Sequence, residues 1–281
     1  LPGLQLVDPF GGLEDLLAHT LRTPISPEVS FGDDPLRMMR AARFSSQLGA
    51  EIDQVTATAM AEMAPRIGDI SAERVRDELV KILSSNSPRA GLELLVESGI
   101  AEFVLPEFPA LRLEADEHAH HKDVYQHTLT VVEQAIDEER RRYPGATPDV
   151  VLRMASLLHD IGKPATRRFE SGAVTFYHHD VVGAKLAKKR LKALRFDNET
   201  ISAVAHLVEL HLRFFGYADQ AWSDSAVRRY VRDAGDQLAR LHILVRADVT
   251  TRNQRKADRL SFAYDDLEAR IAQLSEQEEL D

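Results

Sequence analysis

Along most of the chain, apolar residues recur at intervals of three and four, the period of amphipathic helices. Gly32-Asp33-Asp34-Pro35 reads as a helix start, with Asp as N-cap and Pro in the first turn. The apolar positions Leu36, Met39, Phe44 and Leu48 follow, and Gly49 is a stop. Ser71-Ala72-Glu73-Arg74 starts another helix, with Val75, Leu79 and Ile82 on one face. Ser87-Pro88 starts a third, carrying Leu92, Leu95 and Val96 and ending near Gly99. Pro106 and Pro109 mark a connection, and from Asp123 helical patterns run almost to the C-terminus. Only Thr175-Phe176-Tyr177 has a brief β-like composition. Leu4, Leu6 and Val7 suggest the tail of a strand just before Gly11-Gly12. The last segment, Asp258 to Asp281, is amphipathic and charged and is expected to extend from the body. The pattern predicts an all-α fold without internal repeats.

Composition changes this picture little. A length of 281 residues suits about two domains. With 44% hydrophobic and 28% charged residues, a sizeable core is expected. The absence of cysteine rules out disulfides and thiolate metal sites and fits a reducing, cytoplasmic setting. No apolar run approaches the ~18 residues of a membrane span, and no signal-peptide pattern opens the chain. A net charge of −10 argues against a dedicated nucleic-acid binder, although local basic stripes override the total. Three such stripes are Lys185, Lys188, Lys189, Arg190, Lys192 and Arg195; Arg228, Arg229 and Arg232; and Arg252, Arg255, Lys256 and Arg259. Each can track phosphates, and each is equally explained as a solvated helix face. Trp222 and the pair Phe214-Phe215 read as packing residues rather than base-stacking platforms.

Two constellations carry chemistry. The first is His127, the adjacent pair His159-Asp160, His179, His211 and Asp248. Imidazole and carboxylate suit first-row divalent ions, which acidify a bound water and polarise a phosphoryl oxygen. On a helix the side chains of His159 and Asp160 diverge by ~100°, so both can reach one ion. Gly162 and Pro164 end that helix, and Lys163 between them is a candidate phosphate contact. Taken one at a time, these residues are also explained as core histidines and capping or paired carboxylates. His178 and His206 read as positions behind the ligands or in the core, and His118 and His120 as solvated loop residues.

The second constellation is Asp34, Arg37, Arg40 and Arg43. Arginines spaced by three fall within an arc of roughly 120° on one side of a helix. Asp34 lies three before Arg37, so the two side chains can meet and offer an acceptor edge and a donor fork to a planar base. Guanidinium suits the triphosphate. A solvated basic stripe with an N-capping Asp explains the same spacing.

The order His127, His159-Asp160, Asp248 resembles the H…HD…D signature of the HD metal-phosphohydrolase superfamily. His179 and His211 match the extra histidines of its two-metal members, and His121-Lys122-Asp123 resembles its entry loop. Asp8-Pro9-Phe10-Gly11-Gly12-Leu13-Glu14-Asp15-Leu16, followed by the helix from Asp33 to Phe44, resembles linked motifs of class II tRNA nucleotidyltransferases and bacterial poly(A) polymerases. Asp33 stands where those relatives carry Glu.

Those resemblances together imply the CCA-adding subgroup with an HD domain. They imply a head remnant at 1–30, a neck and body at 31–112, an HD domain at 113–250 and a helical tail at 251–281. Asp34 and Arg37 would face the base of CTP or ATP, with Arg40 and Arg43 supporting the nucleotide or its phosphates; tRNA is the implied partner. The implied cofactors are Mg²⁺ for transfer, held in the head, and Mn²⁺, Ni²⁺, a similar transition ion or Mg²⁺ at the HD site. The Gly-Ser loop and paired strand carboxylates that transfer needs do not occur in this sequence. The chain is therefore expected to be part of a longer enzyme and not to add nucleotides alone. A free-standing HD phosphohydrolase acting on nucleotides, and a noncatalytic RNA-binding module, remain alternatives.

Overall fold

The chain divides into two units, Leu1–Pro109 and Ala110–Asp281, and in the first most of the apolar spacing becomes helix. The structure, a computed structural model, describes residues 6–113, 123–170, 173–219, 222–251 and 253–280. His118, His120, His121, Lys122, Arg252 and Leu4 lie outside the described residues.

The first unit contains α1 (Gly12–Leu17), α2 (Pro27–Asp33), α3 (Leu36–Leu48), α4 (Gln54–Met63), α5 (Ala72–Leu83), α6 (Pro88–Glu97) and α7 (Ala101–Val104). A short parallel ladder joins β1 (Thr20–Leu21) to β2 (Glu51–Ile52). Leu6 and Val7 lie in irregular chain, so the ladder sits further along than the strand residues the sequence suggested. Met38, Met39 and Ala42 of α3 are fully buried, and α3 packs on α5 and α6 through Leu79, Ile82, Leu92 and Leu95.

The expected helix start at Asp33-Asp34 is displaced. Residues 27–33 are already helical, capped by Ser26, and Asp34 is an extended break between two helices, with φ −147° and ψ 98°. Pro35 is the cause, since its ring excludes the preceding residue from the helical region. Asp34 still accepts a hydrogen bond from the Leu36 amide at 3.1 Å.

The second unit contains α8 (Val124–Arg142), α9 (Val150–Leu158), α10 (Lys163–Thr166), α11 (His179–Ala193), α12 (Asn198–Leu210), α13 (Phe215–Asp219), α14 (Asp224–Ala234), α15 (Leu238–Ala247) and α16 (Gln254–Leu280). The β-like stretch forms part of a hairpin, β3 (Arg168–Glu170) against β4 (Ala173–Thr175). Helix α8 begins at Asp123, whose carboxylate accepts from the Tyr125 and Gln126 amides. Helices α8, α9, α12 and α15 pack together around Leu129, Val132, Leu158, Val204, Leu207 and Leu244, and α11 lies on α12.

Helix α16 does not extend from the body. Leu260, Tyr264, Leu267 and Leu274 share one stripe and are buried within this unit, and the Phe214 ring stacks on Tyr264 at 3.7 Å. Charge fixes the register as well: Glu268 meets Arg142 at 2.8 Å, His242 at 3.2 Å and Arg246 at 3.2 Å. Burial alone would raise the Glu268 pKa, but His242, Arg142 and Arg246 outweigh it and hold it at about 2. A carboxyl depressed on folding stabilises fully above its ordinary value, here 4.5, and loses that contribution as pH falls through the folded value. Docking of α16 is therefore expected to weaken between pH 4.5 and about pH 2. Trp222, the single tryptophan, sits edge-on to Tyr217 at 5.2 Å and reports this step by fluorescence. Glu268→Gln should remove the step; an unchanged acid transition in that variant would count against the assignment.

Candidate metal centre

Helix α9 ends at Leu158, earlier than the sequence suggests, and His159 is its C-cap. Asp160 to Gly162 form a turn ahead of α10, so the His-Asp pair sits on a helix end rather than inside a helix. That end is buried: His159 is 0% exposed and Asp160 1%. His211 occupies the matching place at the end of α12 and is 0% exposed. His179 opens α11, His127 lies in the first turn of α8, and Asp248 caps the C-terminus of α15.

These six side chains converge as two groups. His127, His159 and Asp248 form one, and Asp160, His179 and His211 the other; within each, the candidate ligand atoms lie within 4.8 Å of one another. Asp160 faces both. Its Oδ2 is 3.3 Å from His159 Nε2 and 3.6 Å from His127 Nε2. Its Oδ1 is 3.3 Å from His179 Nε2 and 3.9 Å from His211 Nε2. Asp248 Oδ1 lies 2.9 Å from His127 Nε2 and 3.5 Å from His159 Nε2.

The far side of each ring is held. His159 Nδ1 donates to the Ser156 carbonyl at 2.8 Å, His179 Nδ1 to Phe176 at 2.8 Å and His211 Nδ1 to Val208 at 2.6 Å. His127 Nδ1 lies 2.9 Å from the Thr250 hydroxyl. A carbonyl can only accept, so in His159, His179 and His211 the proton is on Nδ1 and Nε2 presents a lone pair to the centre. Buried polar atoms normally find partners. Yet the Nε2 atoms of His159, His179 and His211 are buried without a hydrogen bond. Orphaned nitrogens around a shared carboxylate fit divalent cations, and the N/O donor set suits first-row ions or Mg²⁺.

The centre is strongly polarised. Burial opposes charge on His159, but Asp160 and Asp248 more than reverse this and hold its pKa at about 10, so a cation would have to displace the Nε2 proton to bind there. Burial, with the charge of His159, pushes His211 down to about 4. Asp160 is held well below the carboxylate range against its burial, chiefly by His159 and Lys163. Asp248 is held low likewise, by the neighbouring imidazoles of His127 and His159. Lys163 Nζ is 2.6 Å from Asp160 Oδ2 and lies over the Phe176 ring.

In the first unit the structure brings only part of the second constellation together. Arg37 and Arg40 line a cavity of about 230 Å³ with Arg22, Thr23, Phe31 and Phe44. Arg43 instead pairs with buried Glu78 at 3.3 Å. The expected Asp34–Arg37 pair is replaced: Asp34 binds Arg74 at 3.0 Å, and Arg37 donates to the Ser30 carbonyl at 3.1 Å and hydroxyl at 3.2 Å. The cause is α2, which places Ser30 beneath Arg37. Sequence reading did not find Ser30, Arg74, Glu78 or Thr250. Only Thr250 left a signal, two residues after Asp248.

Two family profiles match the chain. One, described as probable RNA and SrmB- binding site of polymerase A, covers residues 49–111; the other, HD domain, covers 124–253 and so contains all six residues of the centre. The A-adding tRNA nucleotidyltransferase of Deinococcus radiodurans is 34% identical, over 93% of this chain and 59% of its own length. The CC-adding tRNA nucleotidyltransferase of Thermus thermophilus is 33% identical, over 84% of this chain and 54% of its own. The chain matches the CCA-adding tRNA nucleotidyltransferase family. It spans 59% and 54% of the length of these two nucleotidyltransferases. The fold agrees with a solved CCA-adding enzyme, that of Bacillus stearothermophilus in complex with CTP, at a TM-score of 0.63 and 22% identity. That likeness covers 95% of this chain and 54% of the other.

Other features expected of a nucleotidyltransferase are placed as follows. Lys185, Lys188, Lys189, Lys192 and Arg195 are exposed on and just beyond α11; Arg228, Arg229 and Arg232 are exposed on α14; and Arg255, Lys256 and Arg259 are exposed on α16. Trp222 and Phe214 pack against Tyr217, Tyr230 and Tyr264. His206 Nε2 meets the Asp233 carbonyl at 2.7 Å, away from the centre. Among the described residues no helix is long and apolar enough to cross a membrane.

Proposed function

We propose that the chain contributes the neck, body and HD parts of a tRNA nucleotidyltransferase that extends tRNA 3′ ends with CTP and ATP, and that its His–Asp centre hydrolyses phosphoesters such as 2′,3′-cyclic phosphates. The observation that carries this reading is the match to a tRNA nucleotidyltransferase over 93% of the chain, which crosses both units. A free-standing HD phosphohydrolase leaves the match to the first unit unexplained.

In this reading Asp34 and Arg37 address the base and Arg40 the phosphates. Arg43 holds the helix through Glu78. The exposed basic stripes follow the tRNA backbone, where positive charge along a path suffices. Mg²⁺ serves the transfer step, whose paired carboxylates are not among these 281 residues. A divalent ion at the His–Asp centre, Mn²⁺, Ni²⁺ or Mg²⁺, supplies an acidified water and a Lewis acid for a phosphoryl oxygen. The chain's own part is to orient four imidazoles, share Asp160 between two groups and hold the Lys163 cation beside Asp160, where it would be available to a phosphate oxygen.

The test has two arms. With added Mn²⁺, Ni²⁺ or Mg²⁺ the purified chain is expected to hydrolyse 2′,3′-cyclic AMP; no turnover with any of the three refutes the hydrolase half. With tRNA, Mg²⁺, CTP and ATP it is expected to bind nucleotide through Arg37 but to leave the 3′ end unextended. Nucleotide binding unaffected by Arg37→Ala, or 3′ extension by this chain alone, refutes the transferase half as stated.

A further inference from the structure

Three of the four histidines in the centre are oriented by a carbonyl of their own backbone, three residues earlier in sequence. His127 is the exception. Its Nδ1 meets a side chain 123 residues away, the Thr250 hydroxyl, at 2.9 Å. We propose that Thr250 is the positioning residue for His127, and that the turn from Asp248 to Thr250 sets one of the two metal groups as a unit. The inference rests on the metal-centre reading above.

Three observations support it. Asp248 and Thr250 lie in the same turn after α15, and they hold opposite edges of one ring: Asp248 Oδ1 is 2.9 Å from Nε2, and Thr250 Oγ1 is on Nδ1. The turn is fastened to α8 at a second point. The Gln134 side-chain amide, oriented by its hydrogen bonds, donates to the Ala247 carbonyl at 2.7 Å and the Val249 carbonyl at 3.1 Å. Gln134 and His127 are seven residues apart, about two helical turns, and so share a face of α8. Finally, in the second group, Asp160, His179 and His211, the two rings are oriented from elsewhere, by the carbonyls of Phe176 and Val208.

A hydroxyl both donates and accepts, whereas a carbonyl only accepts. Of the four Nδ1 partners described here, only Thr250 contributes a side chain, so a substitution can remove it. Loss of such an orienting partner typically lowers metal affinity by about 10–100-fold. The effect should fall on the His127–His159–Asp248 group and spare the other.

Isothermal titration of the 281-residue chain with Mn²⁺ alone tests this. Wild type is expected to take up two equivalents. Thr250→Val should keep one equivalent at wild-type affinity and bind the second about 10–100-fold more weakly. Thr250→Ser should restore wild-type binding, because it keeps the hydroxyl and loses only the methyl. Nitrogen-15 spectra of the His127 ring give a readout independent of activity: Thr250→Val should shift the Nδ1 resonance and leave those of His179 and His211 in place. Unchanged Mn²⁺ binding by Thr250→Val, equal weakening of both equivalents, or failure of Thr250→Ser to rescue would each overturn the proposal. Failure of wild type to bind Mn²⁺ at all would overturn the metal-centre reading instead, so the two are distinguishable.

Discussion

Replacing Asp160 by Asn is expected to weaken both metal groups at once and to lower phosphoester turnover at least about a thousandfold, roughly 4 kcal/mol of barrier. The reason is geometric. One carboxylate oxygen faces His127 and His159 and the other faces His179 and His211. An amide keeps the volume but turns one of these oxygens into an N–H donor, which repels a cation and can itself occupy an orphaned Nε2 lone pair. It also removes the negative charge that Lys163 approaches at 2.6 Å. Substitution of His127 should be milder, since it touches one group only. Mn²⁺ titration with cyclic-nucleotide turnover, alongside near-ultraviolet circular dichroism to show an intact fold, makes the comparison. Two equivalents of Mn²⁺ bound by Asp160→Asn with wild-type affinity would falsify the shared-carboxylate arrangement.

The second large effect is expected at Gly162. A Cβ there would lie 2.1 Å from the His179 carbonyl oxygen and 2.7 Å from the Gly183 amide nitrogen. Both are backbone atoms that no rotamer change can move. The Gly162 φ is −78°, ordinary for any residue, so the requirement is close approach and not conformational freedom. Here the turn after Asp160 presses against the start of α11, and this contact is what brings Asp160 to His179. Gly162→Ala should cost about 3 kcal/mol or more, at the upper end for overpacking, and should separate the Asp160–His179–His211 group. Gly183→Ala should cost less, because its added Cβ would meet a Val208 methyl at 3.2 Å and Gly162 N at 3.3 Å, tight contacts rather than overlaps. Denaturant midpoints rank the two, and a Gly162→Ala protein as stable as wild type would contradict the packing argument.

Gly162 also marks the limit of what the sequence disclosed. In the sequence it read as a helix terminator, yet α9 has already ended four residues earlier and the demand on Gly162 comes from α11. Helix starts at Ser71, Ser87 and Asp123 were legible because caps and apolar spacing are local. The break at Asp34 was misplaced because Pro35 acts backwards on it while α2 satisfies its own start at Ser26. The six His and Asp positions were legible as a set because imidazole and carboxylate on apolar faces are uncommon together. Their division into two groups was not, since it depends on which oxygen of Asp160 faces which helix. The arginine helix shows the same boundary: spacing put Arg37, Arg40 and Arg43 on one side, but only packing separates two that line a cavity from one spent on Glu78.

The carbonyls that hold His159 and His211 are among the last four of α9 and α12, which no intrahelical amide can reach. Each ring therefore caps its helix and is aimed by it in the same contact. The residues that own the three orienting carbonyls are Ser156, Phe176 and Val208, alike in nothing but their backbone. Ring direction at these positions is thus insulated from mutation of the orienting residue's side chain. The surroundings of the centre can drift, or be redesigned for a different phosphoester, while three of its four imidazoles keep their aim.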